Sequence, residues 1–351
     1  MINQKILDEY NAVKKDAGLF DFSFEGKIKV TGQGRTDFIN GIVSNDVKNL
    51  KENYGVYAAF LDKFGRVLSD CHIYKFRDFL LITSPFIQKN KIFEKLKEEA
   101  VLAKSEVEDI TLKYAMLSLQ GPKSILLLKN LFNEKIQLKN SEFTSKKINN
   151  ETLNKTNAKL PINKENQIKN NNENIDITII KTKRSNEGCF DLFFEGGNYK
   201  KIIELIFNKG KKYNLMKISN ETYNILMLEA GIPLFGIDFD EKTILTEIGE
   251  KAISYEKGCY VGQEVIARIK NIGKGITAKK LMRFEINSDK EFGKGTEIFK
   301  NNKKIGFITS SSYSPGLNKV VALGFLDRNF YDKAKEIEVG KDKAKALVFG
   351  L

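Results

Sequence analysis

The sequence predicts an α+β protein that ends in an all-β unit. Up to about residue 274, alternating apolar strands are separated by segments with the 3.6-residue apolar spacing of helices. Beyond Lys274 the helical spacing stops, and short strands with Gly- and Pro-marked turns run to the C-terminus, as in a small barrel or sandwich. At 351 residues the chain also exceeds what one core usually supports. We therefore expect a module over 1–276, made of two α/β subdomains, and a barrel over 277–351.

The elements follow in order. Residues 1–18 read as an amphipathic helix with Ile6, Tyr10, Val13 and Ala17 on one face and Gly18 ending it. GKIKVTG alternates as a strand. YGVYAAFLDKFGRVLSDCHIYKFRDFLLITS reads as three strands with turns at Asp62–Gly65 and Arg77–Asp78. A helix from about Gln88 to Ala103 carries Ile92, Phe93, Leu96 and Ala100 on its core face, LKYAMLSLQG is a strand, and Pro122 opens another helix. From about 140 to 175 the chain is rich in Asn with isolated apolar residues, a composition too poor in apolar surface to offset chain entropy; a disordered insertion is expected. Order resumes with the strands IDITIIKTK and CFDLFFEGG. Two helices follow, capped by Asn198 and Ser219 and stopped by Gly210 and Gly231.

Composition narrows the function classes. The net charge of +13 comes from lysines spread along the whole chain, which gives a diffuse field attractive to any anion rather than a nucleic-acid block. The cysteines are Cys71, Cys189 and Cys259, with no CxxC spacing, and His72 stands alone. That set builds neither a disulfide framework nor a zinc site, and it fits a reducing compartment. No protein-owned metal is expected. The N-terminus has no signal-peptide h-region, and no apolar run approaches the roughly 20 residues of a membrane helix. A soluble, cytoplasmic protein with no membrane partner is the expectation.

The stretch KGCYVGQE at 257–264 carries the most chemistry. Val265, Ile266 and Ile269 have helical spacing, so a helix is expected to begin near Gly262 and Gln263, with Cys259 just before its N-terminus and close to Lys257. Both neighbours favour a thiolate over a thiol. Gly258 and Gly262 permit positive φ or close approach of a ligand, and Gln263 and Glu264 either cap the helix or bind polar ligand edges. The plainer reading makes Cys259 a small apolar residue in a loop whose glycines form turns.

This octapeptide resembles the signature of the YgfZ-type folate-binding proteins, paralogues of the glycine-cleavage T-protein, the aminomethyltransferase GcvT. AGLFDFSFEGKIKVTG, SNDV, GRVLSD, LQGP, LEAGIPLFGID and IGFITSSSYSPGLNKVVALGFL look like further segments of that superfamily in the same order. The resemblance implies a GcvT-like ring of mixed α/β subdomains around a tetrahydrofolate site, with a small C-terminal β-barrel. It implies Cys259, Lys257 and Asp70 as the residues of the chemistry. It also implies folate contacts from Asp191, Tyr57, Arg184 and Arg268 and from the motif residues Gly258, Tyr260, Gly262, Gln263 and Glu264. Asp191 suits the amino and ring N–H groups of the pterin, because a carboxylate accepts two parallel hydrogen bonds from such an edge. Asp70 and His72 share one face of their strand.

Two departures separate the branches. T-proteins carry paired acids where this chain has Ser69 and Asp70, and an Arg where it has Met227. The resemblance therefore points first to a tetrahydrofolate-binding accessory factor for iron–sulfur cluster assembly or repair, with iron–sulfur client or assembly proteins as partners. The alternatives are an aminomethyltransferase of the glycine cleavage system and a folate-dependent tRNA-modification factor, for which tRNA is the partner.

Overall fold

The computed structural model describes residues 3–149 and 174–351. Three β structures organise the chain, with its helices packed between and against them. The first is a five-stranded sheet in the order β3-β4-β5-β2-β6, built from β2 (Gly26–Thr31), β3 (Tyr54–Leu61), β4 (Val67–Lys75), β5 (Leu80–Ser84) and β6 (Glu106–Asp109). The second is six-stranded, in the order β11-β1-β7-β10-β9-β8. It uses β1 (Gly18–Asp21), β7 (Tyr114–Gln120), β8 (Phe143–Ile148), β9 (Ile175–Thr182), β10 (Cys189–Glu195) and β11 (Met216–Lys217). The third is a closed barrel, β12-β15-β14-β13-β16-β17, over residues 279–349. The mixed α/β architecture and the terminal barrel are those the sequence predicts.

The first helix, α1 (Gln4–Lys15), buries Tyr10 and Val13 as its apolar spacing requires, and Asn3 caps it by accepting from the Ile6 amide at 2.9 Å. Gly18 does more than stop it: the chain re-enters at once as β1, which pairs with β7 and β11. The helix α2 (Arg35–Ile42) has no counterpart in the sequence reading. The helices α3 (Lys89–Ala100), α4 (Ser124–Phe132), α5 (Tyr199–Gly210), α6 (Asn220–Ala230) and α7 (Gln263–Asn271) lie where apolar periodicity places them.

One expectation is corrected. The segment expected to be disordered from about 140 begins with ordered chain, because Phe143–Ile148 pairs along its whole length with β9 as the sheet's edge strand. Phe143 and Ile148, on opposite faces of the strand, are buried in two different clusters while Ser145 and Lys147 between them are exposed, so the apolar residues carry no period-2 pattern for the sequence to reveal. The remainder of that expected insertion, 150–173, lies outside the described residues.

Pairing sets the faces that matter for function. Along β3 and β4, Tyr57 stands opposite His72 and Ala59 opposite Asp70, while Phe60 stands opposite Ser69 and Ala58 opposite Cys71. Alternation sends Asp70, His72 and Tyr57 to one face, and Ser69, Cys71 and Phe60 to the other, where Phe60 and Cys71 join the core behind the sheet.

Candidate functional site

Asp70 sits at the centre of the first face. Tyr57 donates its hydroxyl to Asp70 Oδ2 at 3.0 Å, and Oδ1 is buried with no partner. Burial pushes the Asp70 carboxyl up to about 6, with the Tyr57 hydrogen bond opposing and the Glu25 charge adding. A carboxyl titrating near neutrality with one free oxygen is equipped to take or give a proton. The ring of His72 lies 5.0 Å from that of Tyr57. Burial, and then the Arg184 charge, push His72 down to about 3, so it is neutral at pH 7. Its surface is nevertheless solvent-accessible.

Across from it lies a charge cluster on the six-stranded sheet. Asp191, 0% exposed, accepts from Arg184 Nε at 2.8 Å and from the Thr182 hydroxyl at 3.3 Å. The two terminal nitrogens of Arg184 hold Glu25 in a bidentate pair at 3.1 Å each, and its guanidinium lies 3.9 Å from the centre of the Phe22 ring. Burial disfavours the Arg184 charge, yet Asp191 and Glu25 hold its pKa well above the ordinary arginine value. The charges of this cluster act on Tyr74 of β4, which shares the Asp70 face, so the two sheets face one another here.

Glu25 and Lys27 are absent from the sequence reading. Lys27 is wholly buried, and its ammonium donates to the carbonyls of Ser23 and Glu25 at 2.9 Å each, holding the turn that presents Glu25 to Arg184. Alternation in GKIKVTG gives no signal for this, because Ile28 and Val30 take the core face and Lys27 the opposite one, which the fold also covers.

The KGCYVGQE segment packs beside Tyr57 through Tyr260. Gly262 has φ +81 and heads the helix Gln263–Asn271, as expected. A Cβ on Gly262 would lie 2.5 Å from the Asp62 carbonyl, so this glycine admits the β3–β4 hairpin rather than a ligand. Tyr260 is buried in the cluster of Phe235, Phe239 and Ile266, against which Tyr57 also packs. Gln263 is half-buried, whereas Gly258, Cys259, Glu264 and Arg268 are exposed.

Lys257 corrects an expectation. Its buried ammonium donates to the carbonyls of Asn40, Val43 (2.7 Å) and Asn45 (3.0 Å). Burial lowers its pKa to about 8, so it stays charged at neutral pH with all three donors spent on backbone. It fastens this loop to residues 40–45 and has no donor left for the Cys259 thiol. The structure thus brings Asp70, Tyr57, Asp191 and Arg184 to one region and leaves Cys259 and Arg268 exposed, without a bond from Lys257 to the thiol.

Among the described residues no group of three or more His, Cys, Asp or Glu is arranged to hold a metal ion, and no helix is long and apolar enough to cross a membrane.

Comparison with known proteins agrees with this architecture. Residues 2–256 match the GCVT N-terminal domain, and residues 279–349 match the glycine cleavage T-protein C-terminal barrel domain. A Thermoanaerobacter sp. (strain X514) protein named aminomethyltransferase is 27% identical, over 96% of this chain and 85% of its own. One of the same name from Thermosipho melanesiensis is 28% identical over 98% and 87%. The crystal structure of glycine cleavage system aminomethyltransferase T from Bartonella henselae superposes with a TM-score of 0.80 at 19% identity, covering 99% of this chain and 88% of that one. With both domains matched in order around the same fold, the chain belongs to the GcvT family.

Proposed function

We propose that the protein is a folate-dependent one-carbon transferase of the aminomethyltransferase kind. The observation that carries this reading is the Asp70 carboxyl, buried, raised toward neutrality and with one oxygen unpartnered. The relatives named aminomethyltransferase support it. Of the two departures that pointed away from that activity, one loses its weight. Ser69 stands on the core face of β4, opposite Phe60, so the missing acid would not have faced Asp70. The other departure is offset in kind: Met227 belongs to the core cluster of Phe22 and Met116, and the cation in contact with both of those residues comes instead from Arg184.

Tetrahydrofolate fits the donor set, and when bound it supplies nitrogens that accept the one-carbon unit. Asp191 and Arg184 line the region for its polar ring edge, Phe22 offers an aromatic face, and Asp70 holds or moves the proton at the reacting nitrogen while Tyr57 orients that carboxyl. His72, neutral, adds no competing charge.

A second reading keeps the accessory role in iron–sulfur cluster assembly or repair, and one observation favours it: Cys259 is the exposed thiol, in a loop fastened by Lys257 and Gly262. Nothing in the site's geometry favours the tRNA reading. Tetrahydrofolate binding under anaerobic conditions, followed by transfer from a lipoyl-bound aminomethyl donor, tests both. On the transferase reading, Asp70→Asn lowers the rate by about 10²–10⁴-fold and Cys259→Ser leaves it unchanged. Folate binding without transfer, together with failure of Cys259→Ser to complement cells lacking the protein, replaces it with the thiol role.

A further inference from the structure

Three fully buried polar side chains stand together on one face of the six-stranded sheet: Ser118 and Gln120 on β7, and Asp191 on β10. Register puts Ser118 directly across from Asp191 and Gln120 across from Cys189. Apart from the Arg184 and Thr182 partners of Asp191, their neighbours on this face are apolar, for Met116, Phe193 and Ile180 belong to a core cluster with Tyr223 and Phe22. A polar side chain in such a place is costly unless its hydrogen bonds are complete. Those of Gln120 are not. Its Nε2 makes one long bond, 3.4 Å to Ser118 Oγ, and its Oε1 has no partner. Exchanging the two amide atoms moves the deficit to the nitrogen without removing it. Arg184 reaches from Asp191 to Met116 Sδ at 3.6 Å, so its guanidinium lies across the same two strands.

We propose that Gln120 and Ser118 form the inner wall of the folate site, with Gln120 as its specificity determinant. The inference rests on the folate reading above. Asp191 can accept one amino N–H and the adjacent ring N–H of a 2-amino-4-oxo ring, which leaves the second amino N–H without an acceptor. Gln120 Oε1, buried beside Asp191 and unpartnered, is the acceptor that supplies the third bond. Ser118 holds the amide at the correct angle. A ring bearing methyl in place of the 2-amino group offers no donor and leaves Gln120 as unsatisfied as it is without ligand, so discrimination against that analogue passes through this residue.

The test is anaerobic equilibrium binding of tetrahydrofolate and of its 2-methyl, 2-desamino analogue to wild type, Gln120→Met and Ser118→Ala, with thermal unfolding of each. Gln120→Met is expected to weaken tetrahydrofolate binding about tenfold and to shrink the preference over the analogue by a similar factor. Its Tm should hold or rise, because an apolar side chain of similar size removes an unpartnered buried group. Ser118→Ala should weaken binding by a smaller factor. Unchanged affinity with a lowered Tm, or a Gln120→Met protein that does not fold, makes Gln120 structural and overturns the inference while the folate reading stands. A wild type that binds no reduced folate removes both.

Discussion

Tyr57 and Asp70 meet at 3.0 Å inside the protein, and the second carboxyl oxygen is left bare. Because the folded-state pKa of Asp70, about 6, lies above the ordinary 3.8, ionising it disfavours the fold. That cost is fully present above about pH 6, shrinks as pH falls from there toward the unfolded value of 3.8, and is gone below it. Asp70→Asn, which keeps the shape and an acceptor for Tyr57, should therefore raise stability at pH 7.5 by on the order of 2 kcal/mol. The gain should vanish below about pH 4, while activity is lost. Chemical denaturation at both pH values checks this, and equal gains at the two would dissociate the buried charge from the effect. The thiols give a second residue-scale prediction. Cys259 is exposed and Cys71 and Cys189 are buried, so native protein should take up one equivalent of an alkylating reagent and unfolded protein three. Mass spectrometry of the labelled peptides reads the site. Asp70 was legible because strand alternation fixes its face. The spent donors of Lys257 were not, since its acceptors lie more than 200 positions away in the chain.

At the scale of elements, the segment 257–271 shows a loop shaped by packing more than by a ligand. The helix start near Gly262 follows from apolar spacing, but the reason for that glycine does not: it combines φ +81 with the Asp62 carbonyl 2.5 Å from where a Cβ would stand. Gly262→Ala should cost roughly 2–3 kcal/mol, from left-handed strain plus displacement of the hairpin. Gly258→Ala, with open space around it, should cost well under that. Thermal melts of the pair separate the two glycines, and similar losses would mean that the whole loop is held tightly by something besides contact with Asp62. The edge strand Phe143–Ile148 marks the limit of reading composition. One buried residue on each face, Phe143 and Ile148, suffices once β9 offers a full ladder of partners, and that ladder is tertiary information.

At the scale of the molecule, the barrel is fastened to the rest through buried carboxylates. Asp238, ahead of the barrel in sequence, accepts from its own loop at the Leu234 amide and from Thr309 and Ser310 of β14 at a register shift. Glu229, at the end of α6, accepts from Tyr10 of α1 at 2.7 Å, from Ser314 of β14, and from Lys14 at 3.2 Å. Lys14 in turn pairs with Glu187, in the loop that also carries Arg184. The barrel was legible from its short strands and turns, whereas this node was not, because its members come from four distant parts of the chain. Gly316 belongs to it as well, for a Cβ there would lie 2.2 Å from the Tyr10 hydroxyl. Removing Glu229 leaves Tyr10, Lys14 and Ser314 without their shared acceptor, so Glu229→Ala should cost roughly 3 kcal/mol. Because one node joins α1, α6 and the barrel, the loss should not add with that of Ser314→Ala. The double variant should be less destabilised than the sum of the two singles, by about 1 kcal/mol. Limited proteolysis gives the spatial readout: Glu229→Ala should expose the connection between α7 and β12, residues 272–278, to early cleavage while each unit persists. Cleavage spread evenly over the chain, with additive stability losses, would mean that Glu229 supports α6 alone and that the barrel is held by its apolar contacts with Leu228.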